Sequence, residues 1–134
     1  MRMKVLMTGS RQAMPAMLAK VEDVVLWVKR QGYALLMGDA PGVDAHARMC
    51  ADALGVPTTV FGAYGRLRGR RRAHEAVIVI PEDDRVRDRL MAQRCDPCVA
   101  VWNGRSRGTK ATFEYARRLG TRVLVRAFDA AGGR

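Results

Sequence analysis

Gly38-Asp39-Ala40-Pro41-Gly42-Val43-Asp44 and Asn103-Gly104-Arg105-Ser106-Arg107-Gly108-Thr109 are the stretches whose reading decides the fold. The first follows the apolar run Ala34-Leu35-Leu36-Met37, the second follows Cys98-Val99-Ala100-Val101-Trp102, and each leads into a helix-like segment. Glycines between a strand and a helix let the chain turn tightly. They also aim free backbone N–H groups and the positive end of the helix dipole at one spot, an arrangement suited to a phosphate. One such loop says little, because α/β proteins also use glycine simply to turn. Two of them in a short chain point to a nucleotide-type ligand.

The rest of the chain supports the same alternation. Lys4-Val5-Leu6-Met7-Thr8 reads as a buried strand ending at Gly9-Ser10-Arg11. Residues 14–31 follow with a helical period, Met17, Val21, Val24, Val25 and Val28 forming one stripe, and Gly32 ends the helix. A helix over 43–54 closes at Gly55, and Pro57–Phe61 is a third strand. Ala76–Ile80 is expected as an extra strand at an edge or in a hairpin. Asp84 is expected to cap a helix over 85–94. A helix over 109–119 then ends at Gly120, Arg122–Val125 is the last strand, and Ala130 to Arg134 form a frayed tail. The expectation is a single α/β domain over 1–134. Its sheet is Rossmann-like, doubly wound and mainly parallel, with about five core strands plus the extra strand near 76–80. In such sheets ligands bind beyond the carboxyl ends of the strands. Gly9-Ser10-Arg11 and both glycine loops lie there, so all three converge on one edge.

With 134 residues the chain is long enough for one substantial core, and its 49% apolar content is that of an ordinary globular protein. No apolar run approaches the ~20 residues that span a bilayer. The start Met1–Met7 runs directly into a strand pattern, so the protein is expected in the cytoplasm and away from membranes. Net charge is +11, and lysine occurs only at 4, 20, 29 and 110, so arginine carries nearly all of it. Such a charge favours polyanionic partners, although arginines on solvated faces give the same composition. The cluster Arg66, Arg68, Arg70, Arg71 and Arg72 sits among glycines without apolar period and reads as a flexible loop. It closes over a phosphorylated ligand, tracks a nucleic-acid backbone with Tyr64 as its one stacking aromatic, or is merely solvated.

Cys50, Cys95 and Cys98 imply no disulfide framework. Cys95-Asp96-Pro97-Cys98 has C-x-x-C spacing, but it ends a helix instead of starting one, so structural cysteines are expected. His46 and His74 have no zinc-like spacing and read as isolated. No metal and no cofactor is expected.

Neither G-x-G-x-x-G nor G-x-x-x-x-G-K-[ST] is present. Four other segments occur in order: Val5 to Arg11, Gly38 to Ala47, Arg87-Asp88-Arg89-Leu90-Met91, and Asp96 to Thr109. Through them nearly the whole chain resembles the SLOG superfamily. That superfamily includes the YspA-like proteins, the Lonely Guy phosphoribohydrolases and the Rossmann-like domain of DNA-processing protein A. The YspA-like branch is the nearest resemblance. It implies a nucleotide or nucleotide-derived ligand and frequent pairing into homodimers or higher homo-oligomers. Carried over by position, Gly9, Ser10 and Arg11 would line the floor. Gly38, Asp39, Gly42, Val43 and Asp44 would shape one wall, Gly104, Ser106, Gly108 and Thr109 would form an anion cradle, and Arg87 would supply a cation. Asp44 also suits the first turn of a helix without any ligand. Trp102, at the end of an apolar strand, reads as core.

The phosphoribohydrolases carry an arginine followed by G-x-G-T-x-x-E. Here the arginine matches Arg87, but the glutamate position is Thr112, which cannot act as a carboxylate. Glu114 lies about 200° further round the helix. The leading expectation is therefore a binding protein for a nucleotide or an ADP-ribose-like derivative, acting in sensing or sequestration without turnover. The alternatives are a nucleoside 5′-monophosphate phosphoribohydrolase using Arg87 and Glu114, and a single-stranded nucleic-acid binder.

Overall fold

The computed structural model describes residues 2–128; the expected frayed tail lies outside the described residues. Ten elements alternate along the chain. They are β1 (Lys4–Gly9), α1 (Pro15–Gln31), β2 (Ala34–Gly38), α2 (Val43–Leu54), β3 (Thr58–Gly62), β4 (Glu75–Val79), α3 (Asp84–Arg94), β5 (Pro97–Trp102), α4 (Arg107–Arg118) and β6 (Arg122–Ala127). They build one six-stranded sheet in the order β4-β3-β2-β1-β5-β6. Every neighbouring pair is parallel.

Two cores sandwich this sheet. On one face the α1 stripe (Met17, Val21, Val24, Val25, Val28) packs with Val43, Ala47 and Ala51 of α2 over Val5, Met7, Leu35 and Val101. On the other, Met91 and Ala92 of α3 and Phe113 and Ala116 of α4 cover Leu6, Leu36, Phe61, Cys98 and Ala100. Alternate residues along β1 thus feed opposite cores, as the two-residue period of a strand requires. Each fully buried Val, Leu or Met contributes about 1.5–3 kcal/mol of transfer free energy. The chain winds leftward from β1 through α1 and α2, then returns through α3 to β5. The winding direction therefore reverses between β1 and β5. Among the described residues no helix is long and apolar enough to cross a membrane.

Three expectations change in detail. The extra strand, β4, is an edge strand parallel to β3, not half of a hairpin. The helix cap is Asp83, whose side chain accepts from the Arg85 and Val86 amides; Asp84 is the first helical residue. The last strand continues to Ala127, because β6 pairs with β5 along its whole length, from Pro97↔Arg122 to Trp102↔Ala127.

The β3–β4 crossover, residues 63–74, contains no helix. A side-chain bracket replaces it. Arg48 of α2 forks onto Glu75, Nε to Oε2 and Nη2 to Oε1, both 2.8 Å. It also donates to the carbonyls of Arg68 (3.2 Å) and Arg70 (2.9 Å). Burial opposes the charged Glu75 carboxylate, but the Arg48 hydrogen bonds and the Arg72 amide outweigh it and hold its pKa below the usual range. The loop expected to be flexible is thus tied at its backbone to a buried ion pair.

Candidate functional site

The three loops converge because Ser10, fully buried, holds them together. Its amide donates to Val101 O (3.2 Å), its carbonyl accepts from the Val43 amide (3.1 Å), and its Oγ accepts from the Asn103 amide (3.0 Å). One residue thereby joins the end of β1 to the end of β5 and to the start of α2. Gly42 must be glycine for this contact. Its φ is +81°, and a Cβ there would collide with the carbonyl oxygens of Ser10 and Arg11. Gly38 is small for another reason. A Cβ would come 2.9 Å from Asp44 Oδ2 and 3.1 Å from Arg87 Cζ.

Beneath this edge lies a buried charge cluster. Arg87, its side chain 4% exposed, donates to Asp39 Oδ1 (2.8 Å) and Asp88 Oδ1 (3.1 Å), and lies 3.3 Å from Asp84 Oδ1. The second Asp39 oxygen accepts from the Arg68 amide at 2.7 Å, which ties the basic loop to β2. Asp44 Oδ2 accepts from the Ala40 amide at 3.2 Å. Burial, only partly offset by Arg87, pushes the Asp44 pKa up to about 7. Burial also raises Asp88, again against the pull of Arg87.

The second glycine loop is organised by its own side chains. Asn103 Oδ1 accepts from the Arg105 and Ser106 amides, both 2.9 Å. Ser106 caps α4 through the Thr109 amide, at 3.4 Å. The Arg107 and Gly108 N–H groups then face outward in the first turn, where helical geometry supplies no intrahelical acceptor. A Cβ on Gly108 would meet nothing within 4 Å, so the approach to this turn is open. Trp102 is half-buried. Its ring stands edge-on to Phe113, with centroids 5.4 Å apart, and its indole N–H donates to Ser106 O at 2.9 Å, so it props the loop as well as filling the core.

The expected site residues therefore fall into two groups. Ser10, Asp39, Val43, Asp44, Arg87 and Thr109 are buried and shape the edge from below. Arg11, Gly104, Ser106 and Gly108 are at its surface, with Gly9, Gly38 and Gly42 as the close-approach points between loops. Arg87, expected as a cation for the ligand, spends its guanidinium on carboxylates. Arg11 pairs with Asp84 at 3.1 Å while half-exposed.

Next to the Asp39–Asp84 side of the edge is a cleft of about 110 Å³ lined by Asp39, Ala63, Tyr64, Arg66, Arg68 and Asp84. Two buried atoms on it, Arg68 Nη1 and Asp84 Oδ1, make no hydrogen bond among the described residues, although each faces an opposite charge, Asp39 Oδ1 at 3.9 Å and Arg87 Nη1 at 3.3 Å. Tyr64 stands over it with φ +55° and 61% exposure, held by its amide on Glu82 O at 2.8 Å. The cleft has room for a phosphate; a larger ligand would extend across the open edge. Of the basic cluster, Arg71 donates to Glu75 O (2.9 Å) and Arg72 pairs with Asp52 (3.2 Å). Arg66 and Arg70 are exposed.

The Thr112 hydroxyl donates to Gly108 O at 2.9 Å. Thr112 and Glu114 both border a hollow of about 200 Å³ between α3 and α4, together with Asp88. A larger hollow, about 750 Å³, opens at the opposite end of the strands under Trp27 and Leu124. Its lining is mostly apolar and it arises where no helix covers the α1 side of β6. Lys20, Asp23, Asp96 and Arg122 also line it, away from the glycine loops. His46, expected to be isolated, contacts Glu22 at 2.8 Å and has Cys50 beside it.

Sequence reasoning passed over Arg48, Glu75, Asp88 and Asn103. Asn103 alone carried a local signal, an Asx residue just before a glycine turn. Arg48 and Glu75 sit on a helix and a strand far apart in sequence, and nothing local links them.

No protein-family model matches the chain, and no curated protein sequence does. Solved structures do match. The molybdenum cofactor binding protein from Rippkaea orientalis superposes with a TM-score of 0.84 at 19% identity, over 95% of this chain and 77% of that one. The molybdenum cofactor carrier protein of Chlamydomonas reinhardtii matches with a TM-score of 0.76 at 20% identity, over 93% and 76%. DNA processing protein A from Streptococcus pneumoniae matches with a TM-score of 0.74 at 22% identity, over 92% of this chain and 50% of that one. At these identities the likeness is one of fold: this chain shares the doubly wound α/β fold of all three.

Proposed function

We propose that this chain binds a nucleotide or a nucleotide-derived anion across the carboxyl edge of its sheet, and holds it without turning it over. The observation that carries the reading is the convergence of three loops on Ser10. It holds the ends of β1 and β5 and the start of α2 together, so that the open first turn of α4 and the cleft lined by Asp39 and Arg68 lie along the same edge of the sheet. Backbone N–H groups, the dipoles of α2 and α4, and the Arg11 and Arg66 side chains then all favour negative charge at one edge. Two of the similar structures are a binder and a carrier of the molybdenum cofactor, which supports a role in holding a small ligand. ADP-ribose, a mononucleotide and the molybdenum cofactor are the three ligand types to compare.

Turnover is disfavoured by chemistry. A phosphoribohydrolase needs a carboxylate beside its arginine at the ribosyl bond, and Thr112 offers a hydroxyl already donated to Gly108 O. The Arg87 guanidinium is buried among Asp39, Asp84 and Asp88. Calorimetric titration with the three ligand types, paired with an assay for free base released from AMP, tests the reading. Saturable binding without base release supports it. Base release lost in Arg87→Ala or Glu114→Ala would replace it with the hydrolase.

A second reading is single-stranded DNA binding, favoured by exposed Arg66 and Arg70 and by the similarity to DNA processing protein A, including a Helicobacter pylori structure described by its single-stranded DNA binding mode. It requires binding that weakens steeply with salt and that falls when Arg70, Arg71 and Arg72 are neutralised.

A further inference from the structure

On the α1–α2 face, away from the loops, Glu22, His46 and Cys50 each place one donor atom within 4.8 Å of the other two. His46 and Cys50 are four residues apart on α2, so their side chains stack on one face of that helix. Glu22 comes from α1, whose Lys29 Nζ donates to Leu54 O at 2.6 Å and locks the two helices together further along. The carboxylate and the imidazole already touch at 2.8 Å, with His46 17% and Glu22 58% exposed. The group is therefore rigid on its α2 side, adjustable on its α1 side, and open to solvent.

We propose that Glu22, His46 and Cys50 form a binding site for a divalent transition-metal cation of the zinc type, with a fourth position left to water. A tetrahedral ion with ligand bonds of about 2.0–2.3 Å needs donors about 3.5 Å apart. The observed spacings reach that with side-chain rotations that shift each donor by about 1 Å, which the exposed Glu22 can supply. One thiolate, one imidazole and one carboxylate are a mixed soft and hard set. They match Zn²⁺ or Co²⁺ and fit neither Mg²⁺ nor Ca²⁺, which take oxygen ligands. Burial and the neighbouring Glu22 carboxylate keep the Cys50 thiol protonated in the metal-free chain, above its ordinary range. On binding, Cys50 releases that proton to solvent, the His46 Nε2–H that donates to Glu22 exchanges its proton to Nδ1 through solvent so that Nε2 can ligate, and the Glu22–His46 hydrogen bond gives way to two metal bonds. The ion would staple α1 to α2, the helix that begins at the Gly42 turn. This site is independent of the ligand proposed for the sheet edge.

The test is titration of the full-length chain, purified without a histidine tag, with Co²⁺ as the spectroscopic probe and Zn²⁺ as competitor. The expected result is one equivalent bound, with thiolate-to-cobalt charge-transfer absorption displaced by Zn²⁺ and an increased melting temperature. Cys50→Ser should abolish the charge-transfer band. His46→Gln and Glu22→Gln should each weaken binding by roughly tenfold or more. His74→Gln should leave it unchanged. Glu22→Gln keeps a hydrogen-bonding partner for His46, so its metal-free melting temperature should match the parent and serve if Cys50→Ser does not fold. Absence of the band in the parent chain, or a band that survives Cys50→Ser or is indifferent to His46→Gln and Glu22→Gln, would overturn the proposal.

Discussion

Arg87 Nη1 sits 2.8 Å from Asp39 Oδ1, and the two side chains are 4% and 2% exposed. This pair links α3, which crosses behind the sheet, to the turn that follows β2. Asp39 also holds the Arg68 amide, so a single buried carboxylate registers both the helix and the basic loop against the candidate ligand edge.

Removing the cation should be costly. Arg87→Ala leaves Asp88 without its Arg87 partner and Asp39 with only the Arg68 amide and the more distant Arg68 guanidinium, and breaking a buried pair from one side costs about 3–5 kcal/mol. Urea denaturation at neutral pH checks this. A loss below about 1 kcal/mol would mean that water reaches the carboxylates.

Asp44 should make stability fall as pH rises. Its folded pKa is raised to about 7 from 3.8, so between those values the folded chain holds a proton that the unfolded chain has released. This contribution weakens stability progressively across that window and levels off above it. Asp44→Asn, which retains an acceptor for the Ala40 amide, should remove that slope. Denaturation midpoints from pH 4 to 8 in both proteins would show it.

Two glycines should respond in opposite directions. Gly42→Ala forces a Cβ onto the Ser10 and Arg11 carbonyls at φ +81° and should cost well over 1 kcal/mol. Gly108→Ala has open space in a helical turn and should be neutral or stabilising by up to about 1 kcal/mol. Thermal melts distinguish them.

Ser10→Ala should loosen the junction of the loops. The Asn103 amide loses its acceptor, at a cost of about 1–3 kcal/mol, and backbone exchange should quicken first at Asn103, while Val43 keeps its bond to the Ser10 carbonyl. Hydrogen exchange resolved by residue is the measurement.

The alternation of strands and helices was readable because short apolar runs and the Met17–Val28 stripe are local signals. So were the C-caps Gly32 and Gly55, both left-handed in the structure. The edge strand β4 was visible as Ala76–Ile80, but its parallel pairing was not, since no helix pattern marks the crossover. That crossover rests on Arg48 and Glu75, a contact between residues 48 and 75 that no spacing rule predicts. The converging loops were legible from their position at strand ends. The burial of Arg87 and Asp44 was not, because a charged residue carries no local sign that other charges will enclose it. His46 and Cys50 did carry the i, i+4 signal, but their third member, Glu22, comes from another helix.

The central claim is anion capture at the open turn of α4, and Gly108→Asp tests it most directly. An acidic residue in the first turn is favoured by the helix dipole and has space here, so the fold should persist while the carboxylate occupies the place of the ligand's phosphate. Calorimetry with ADP-ribose, a mononucleotide and the molybdenum cofactor should show the parent chain binding at least one with a Kd below ~0.1 mM. The variant, melting at the same temperature, should bind that ligand roughly tenfold or more weakly, about 1.4 kcal/mol. No binding by the parent, or equal binding by a folded Gly108→Asp, would contradict the account.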